Sequence, residues 1–211
     1  MPDFRPARDQ MVDLIASRGV GDDRTLAAMR AVPREMFLPS HMQDVAHEDA
    51  PLSIGEGQTI SQPTIVAMMI EAAGIGPQAS VLEVGAGSGY AVAVLSRIAR
   101  KVYGIERHRS LGEAAAERLA RLGYTNAEIR VGDGSKGWPE AAPFDAIIVS
   151  AAAAKVPEGI RRQLIIGGRL IVPVDESIAG QALQRITRRG DDDFDVETLA
   201  KVQFVPLIGE G

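Results

Sequence analysis

Residues 80–90 read S-V-L-E-V-G-A-G-S-G-Y, and no other stretch limits the possible folds of the chain as tightly. Ser80 to Val84 is a short apolar run of the kind that makes a buried strand, glycines follow at 85, 87 and 89, and Ala91 to Ile98 reads as a helix. Strand, glycine turn and helix in that order put a row of unpaired backbone N–H groups at the mouth of a crevice in a parallel sheet. Glycine suits the turn because it accepts positive φ and lets a ligand approach the backbone without meeting a Cβ. The dinucleotide fingerprint G-x-G-x-x-G would place its third glycine at position 90, where this chain has Tyr90. A phosphate-cradling loop would want a Lys and a Ser or Thr after its glycines, and Tyr90, Ala91 and Val92 supply neither. Lys101 to Ile105 reads as a second strand ending at Glu106. A carboxylate just past the second strand accepts hydrogen bonds from a ribose diol. Glycines alone fit a plain tight turn as well as a site. With Glu106 at this distance, the expectation is a site for a nucleoside whose tail need not be a pyrophosphate.

The chain around this stretch supports a parallel α/β core. From residue 80 strands and helices alternate: a helix over 109–122, a third strand over 127–131 running into G-D-G at 132–134, and a fourth over 146–150. A helix over 157–164 follows, then a turn at Gly167-Gly168 and a fifth strand over 169–173. Such alternation implies right-handed crossovers and a doubly wound, mostly parallel sheet. The end differs: 181–187 and 199–205 are strand-like about a charged turn at 188–195, which predicts a C-terminal antiparallel hairpin. Ahead of the core, helical periodicity covers 10–17 and 25–32, the second helix capped by Asp22 or Asp23 and ended by Pro33. The expected organisation is a single domain over 1–211, with an α/β core over 76–211. Residues 1–60 hold too few apolar side chains for a core of their own and read as a helical lid or extension.

Residues 51–64, P-L-S-I-G-E-G-Q-T-I-S-Q-P-T, are neither clean helix nor clean strand and precede a helical run over 65–73. A loop held by a rigid helix is a favoured place for binding groups. Ser61 or Thr64 is positioned to cap that helix, with Pro63 in its first turn.

Composition narrows the chemistry. The 211 residues are 45% hydrophobic and 24% charged, which fits a globular chain large enough for a sheet covered on both faces. A net charge of −5 argues against a nucleic-acid partner. The absence of cysteine removes thiol catalysis and thiolate metal sites, and His41, His47 and His108 show no ligand spacing, so no metal is expected. With no signal-like N-terminus and no run of about 20 apolar residues, a cytoplasmic enzyme without a membrane contact is the expectation. Nothing in the pattern marks an interface, so a monomer is expected.

Within the crevice, the turn from Gly85 to Gly89 lies beside the ligand's polar tail, Glu106 takes the ribose hydroxyls, and Asp133 accepts from an adenine amino group. No nucleophile elbow accompanies Ser61, so it is expected to bind and orient. Methyl transfer from a sulfonium fits such a site. The donor brings its own leaving group, and a carboxylate acceptor is already ionised at neutral pH and needs no general base.

E-V-G-A-G-S-G-Y at 83–90 resembles motif I of class I S-adenosylmethionine-dependent methyltransferases. V-P-R-E at 32–35 with Phe37, G-E-G-Q-T-I-S-Q-P at 55–63, Y-G-I-E-R at 103–107, R-V-G-D-G-S-K-G-W-P at 130–139, F-D-A-I-I-V-S-A-A-A at 144–153 and G-G-R-L-I-V-P-V at 167–174 narrow this further. Together they resemble the protein-L-isoaspartate O-methyltransferase family over essentially the whole chain. The resemblance implies a Rossmann-like methyltransferase fold and S-adenosyl-L-methionine as methyl donor. Gly85, Ala86, Gly87, Ser88, Glu106, Arg107, Asp133 and Gly134 would hold the donor. Ser61 aligns with the family's active-site serine, and Ile60, Gln62, Ser150 and Ala151 would line the groove for isoaspartyl peptides and proteins. The activity implied is methylation of the α-carboxyl of an L-isoaspartyl residue, whose ester closes to a succinimide and hydrolyses partly to aspartate. A methyltransferase with another acceptor, or a nucleoside-binding module without turnover, remain as alternatives. Ser150 stands where the family usually has threonine, and Ala154 where it often has proline.

Overall fold

The computed structural model describes residues 2–176 and 180–209. Seven strands form one sheet: β3 (Ser80–Val84), β4 (Lys101–Glu106), β5 (Ala127–Val131), β6 (Phe144–Val149), β7 (Leu164–Asp175), β8 (Gln181–Arg188) and β9 (Phe194–Val202). Their order is β5-β4-β3-β6-β7-β8-β9. The pairs from β5 through β7 are parallel, and β8 and β9 add antiparallel to the far edge, as the hairpin reading expected. The chain runs outward from β3 through β4 to β5, then returns to lay β6 on the other side of β3. That reversal opens a crevice at the carboxyl ends of β3 and β6, the usual position for a ligand in an open α/β sheet.

Strand period decides which face each side chain enters. Val81, Val102, Ala146 and Ile148 join the cluster that packs under α3 (Pro63–Ala73), α4 (Tyr90–Ser96) and α5 (Arg109–Arg121). Leu82, Val84, Ile147, Val149 and Leu170 face the opposite way, against Trp138 and Ile160. Met11, Val12 and Ile15 of α1 (Arg5–Ser17), and Met29 of α2 (Asp23–Ala31), enter the first of these clusters, so the N-terminal helices share the core of the sheet. Among the described residues, no helix is long and apolar enough to cross a membrane.

Several local readings are revised. Asp22, not Asp23, caps α2, accepting from Thr25 N at 3.1 Å. Residues 51–60, expected as a loop, form a hairpin of β1 (Leu52–Gly55) and β2 (Gln58–Ile60). Gly55, Glu56 and Gly57 all have positive φ, which lets the turn close between such short strands. Neither Ser61 nor Thr64 caps α3. The N-cap is Gln62, without a side-chain bond, and the carboxylate of Asp49 accepts from Thr64 N at 2.9 Å. The helix expected over 157–164 shrinks to α6 (Glu158–Arg161), and Gly167-Gly168 lies inside β7. Phe144 pairs with Leu164 but Ala146 with Arg169, so the glycines absorb a bulge there.

Candidate active site

The glycine turn follows β3 directly. Gly85, Gly87 and Gly89 have φ of 85°, 51° and 85°, a region an L side chain rarely enters. Most of its N–H groups are already paired, contrary to the expected open row. Gly85 N and Ala86 N donate to Ile105 O at 2.8 and 3.0 Å, and Gly89 N donates to Ala86 O at 2.8 Å. Gly87 N donates to Glu106 Oε2 at 2.8 Å. The turn is therefore tied to the end of β4 and offers little to a pyrophosphate, which suits a ligand without one.

Glu106 is 4% exposed and also accepts from His108 N at 2.8 Å through Oε1. Each carboxylate oxygen has two lone-pair directions, so one per oxygen remains for a ribose hydroxyl. The crevice brings Gly85, Gly87, Glu106, Arg107, Gly134, Ser150 and Ala151 together. Asp133, expected in this crevice, is not among the residues that line it; its carboxylate accepts from Ser135 N at 2.9 Å and from the Ser135 hydroxyl at 2.7 Å. Ala86 and Ser88 face a neighbouring chamber and not this crevice.

That chamber lies on the helix face of the sheet and is lined by Ile60, Ser61, Glu83, Gly85, Tyr90 and Ser150, among others. A wider groove opens beyond it, between Ser61, Gln62 and Ile65 on one wall and Lys201 to Val205 on the other. Thr59 and Ser150 line all three spaces, and Ser61 lines the chamber and the groove. A molecule in the crevice and one in the groove would thus meet at the hydroxyl-bearing wall. Gln62 contributes less directly, because its amide is turned back to Asp49 Oδ2 at 2.9 Å.

Glu83 was missed in the sequence, where it looks like one more residue of a buried strand. The only signal was a carboxylate inside an apolar run. Its Oε1 accepts the Ser150 hydroxyl at 2.8 Å, while Oε2 is buried with no hydrogen-bond partner among the described residues. Burial pushes its pKa up to about 8; the Ser150 hydrogen bond works against that and the nearby charge of Glu106 adds to it. The C-terminal tail was also missed. Ala152 N donates to Val205 O at 2.8 Å and Leu207 N to Ala152 O at 2.7 Å, which draws Val205 to Ile208 along the crevice. Among the described residues, no cluster of His, Asp and Glu has the makings of a metal site.

A parallel sheet reversing at β3 and β6, a tied glycine turn, and a buried carboxylate at the end of the next strand are the arrangement that class I S-adenosylmethionine-dependent methyltransferases share with other nucleoside-binding α/β folds. The model of the family "Protein-L-isoaspartate(D-aspartate) O-methyltransferase (PCMT)" matches residues 7–211, and the chain belongs to that family. Protein-L-isoaspartate O-methyltransferase 1 of Rhodopseudomonas palustris (strain HaA2) is 54% identical over 208 residues, spanning 98% of this chain and 85% of the relative. A solved protein-L-isoaspartate O-methyltransferase superposes with a TM-score of 0.88 at 32% identity, covering 96% of this chain and 66% of that one. A structure described as a putative protein-L-isoaspartate O-methyltransferase from Plasmodium falciparum, in complex with S-adenosyl-L-homocysteine, gives a TM-score of 0.83 at 27% identity, covering 95% of this chain and 98% of that one.

Proposed function

We propose that this chain transfers a methyl group from S-adenosyl-L-methionine to the α-carboxyl of L-isoaspartyl residues in damaged peptides and proteins. The observation that carries the reading is the meeting of donor crevice, chamber and open groove at Thr59 and Ser150, with Ser61 on the groove side. The donor supplies a methyl group on a positively charged sulfur, with a neutral thioether as leaving group. Glu106 holds the ribose hydroxyls through its remaining lone pairs, with Gly85 and Gly87 forming the floor there and Ala86 and Ser88 meeting the donor from the adjoining chamber. Arg107, Gly134 and Asp133 complete the nucleoside end, the last by accepting from the adenine amino group. Ser61 donates its hydroxyl hydrogen to the acceptor carboxylate and holds one oxygen on the line of transfer. Ile60 and Ala151 shape the passage, and Ser150 and Gln62 line the groove. No side chain is needed to remove a proton, because the acceptor is ionised at neutral pH.

A groove open to solvent between two chain segments suits an extended peptide and reads its main chain more than its side chains. Residues 1–60 serve as an extension that carries Ser61's loop to the core, within one domain over 1–211. We place the enzyme in the cytoplasm as a monomer acting on peptides and not on a membrane, and its net charge of −5 argues against a nucleic-acid partner. The test is one peptide in isoaspartyl and aspartyl versions, offered with methyl-labelled donor. The isoaspartyl version takes up base-labile methyl ester and the aspartyl version stays at background. Equal labelling of both would mean another acceptor rule, and donor binding with no labelling would mean a module without turnover.

A further inference from the structure

Arg34 is absent from the donor and acceptor walls, yet it joins them from behind. It opens a 3₁₀ turn after α2 (Arg34–Phe37) and its side chain is fully buried, at 0% exposure. A guanidinium is costly to bury unless its donors are used. Among the described residues no carboxylate pairs with it. Two of its three nitrogens hold main-chain carbonyls of separate segments: Nε donates to Ala46 O at 2.8 Å and Nη2 to Ser61 O at 3.0 Å, while Nη1 is buried with no hydrogen-bond partner among the described residues. Its Cζ also stands 4.8 Å from the ring centre of Tyr90, the first residue of α4 and a wall of the chamber holding Ser61 and Glu83. One buried cation thus spans the N-terminal extension, the serine loop and the helix that follows the glycine turn.

From this geometry we infer that Arg34 is a positioning residue: it fixes the main chain at Ser61 against the first turn of α4, so that the Ser61 hydroxyl stays on line with the acceptor. The inference rests on the orienting role proposed for Ser61. Lysine keeps the charge but, as a point donor, does not reproduce a planar fork reaching two carbonyls and an aromatic face together.

The experiment is a double-mutant cycle on the full chain with the isoaspartyl peptide, reading kcat, peptide KM and the affinity for S-adenosyl-L-homocysteine by calorimetry. Arg34→Lys should lower kcat severalfold, up to the roughly tenfold loss expected for Ser61→Ala itself, as a misplaced orienting group does, with affinity for S-adenosyl-L-homocysteine within about threefold. In a Ser61→Ala background the same replacement should change kcat less than about twofold, because the group being positioned is gone. An unchanged kcat in Arg34→Lys overturns the inference, and so does the same loss in both backgrounds, which is what a general structural role predicts. If Arg34→Lys does not fold, Arg34→Gln takes its place; failure of both to fold makes Arg34 a folding residue and overturns the assignment. A wild type that labels no isoaspartyl peptide overturns the function and this inference together, whereas labelling with equal losses overturns Arg34 alone.

Discussion

The Ser150 hydroxyl donates to Glu83 Oε1 at 2.8 Å, tying the residue after β6 to the buried carboxyl of β3 at the point where the sheet reverses. The other Glu83 oxygen has no partner among the described residues, and burial lifts the group from 4.5 to about 8. Near neutral pH it is therefore mostly the neutral acid, sitting beside an ionisable Glu106 without the repulsion of a second charge.

This has a sign that pH will reveal. Between about 4.5 and 8 the folded protein keeps a proton that the unfolded chain releases. The contribution of Glu83 to stability is full below the lower value, falls as pH rises, and is lost above the upper one. The slope approaches about 1.4 kcal/mol per pH unit, or roughly 3 °C in melting temperature for a chain of this size. Glu83→Gln removes the titration, so its melting temperature should gain on the wild type from pH 5 to pH 8. A constant difference across that range would sink the assignment.

Ser61→Ala removes a hydroxyl and leaves the backbone and the Arg34 contact to its carbonyl in place. Turnover on an isoaspartyl peptide should fall about tenfold, the equivalent of one orienting hydrogen bond at ~1.4 kcal/mol. Binding of S-adenosyl-L-homocysteine, followed by calorimetry, should not move. If the rate held steady, orientation would have to come from another group on the wall.

Glu106 acts on both ligand and protein, because the N–H groups of Gly87 and His108 already bind its two oxygens. Glu106→Ala loses the ribose acceptor and unties the glycine turn, and should weaken S-adenosyl-L-homocysteine by about 1.5–3 kcal/mol, roughly 10- to 150-fold in Kd. Glu106→Gln keeps a carbonyl acceptor and should fall between wild type and the alanine variant. A titration in which Ala and wild type coincide would remove the ribose from this carboxylate.

What the sequence disclosed follows from how local each cause is. β3 and β5 begin and end where the pattern places them, and β4 ends on Glu106 as expected, because a buried strand is written in consecutive residues. The β1–β2 hairpin was missed because its strands are of four and three residues, too short for alternation to register. The cap of α3 comes from Asp49, well upstream and brought close only by the fold, so no local rule pointed to it. Arg34 had the same difficulty: its partners Ala46 and Ser61 become neighbours only once the extension packs onto the core. Of the site, Glu106 was legible from its distance to the glycines, while Glu83 was hidden inside the motif that contains it.

Gly104 gives a prediction about the scaffold beneath the glycine turn. It lies in β4 opposite Glu83 of β3 and Ile129 of β5, on the helix-covered face. A Cβ there would come within 3.0 Å of Val92 Cγ2 and 3.2 Å of Ala86 Cβ, and closer still to the Ile129 side chain. Ile129 can swing aside, but Val92 is held in α4 and Ala86 in the turn whose N–H is bonded to Ile105 O. Gly104→Ala should therefore cost about 1–3 kcal/mol of folding stability through overpacking, even though alanine has better strand propensity than glycine. Because Ala86 is one of the two neighbours pushed, S-adenosyl-L-homocysteine binding should weaken as well. Urea unfolding and calorimetry on the one variant decide it: a midpoint at or above wild type would mean that the turn yields freely, and that the close approach of β4 does not hold it.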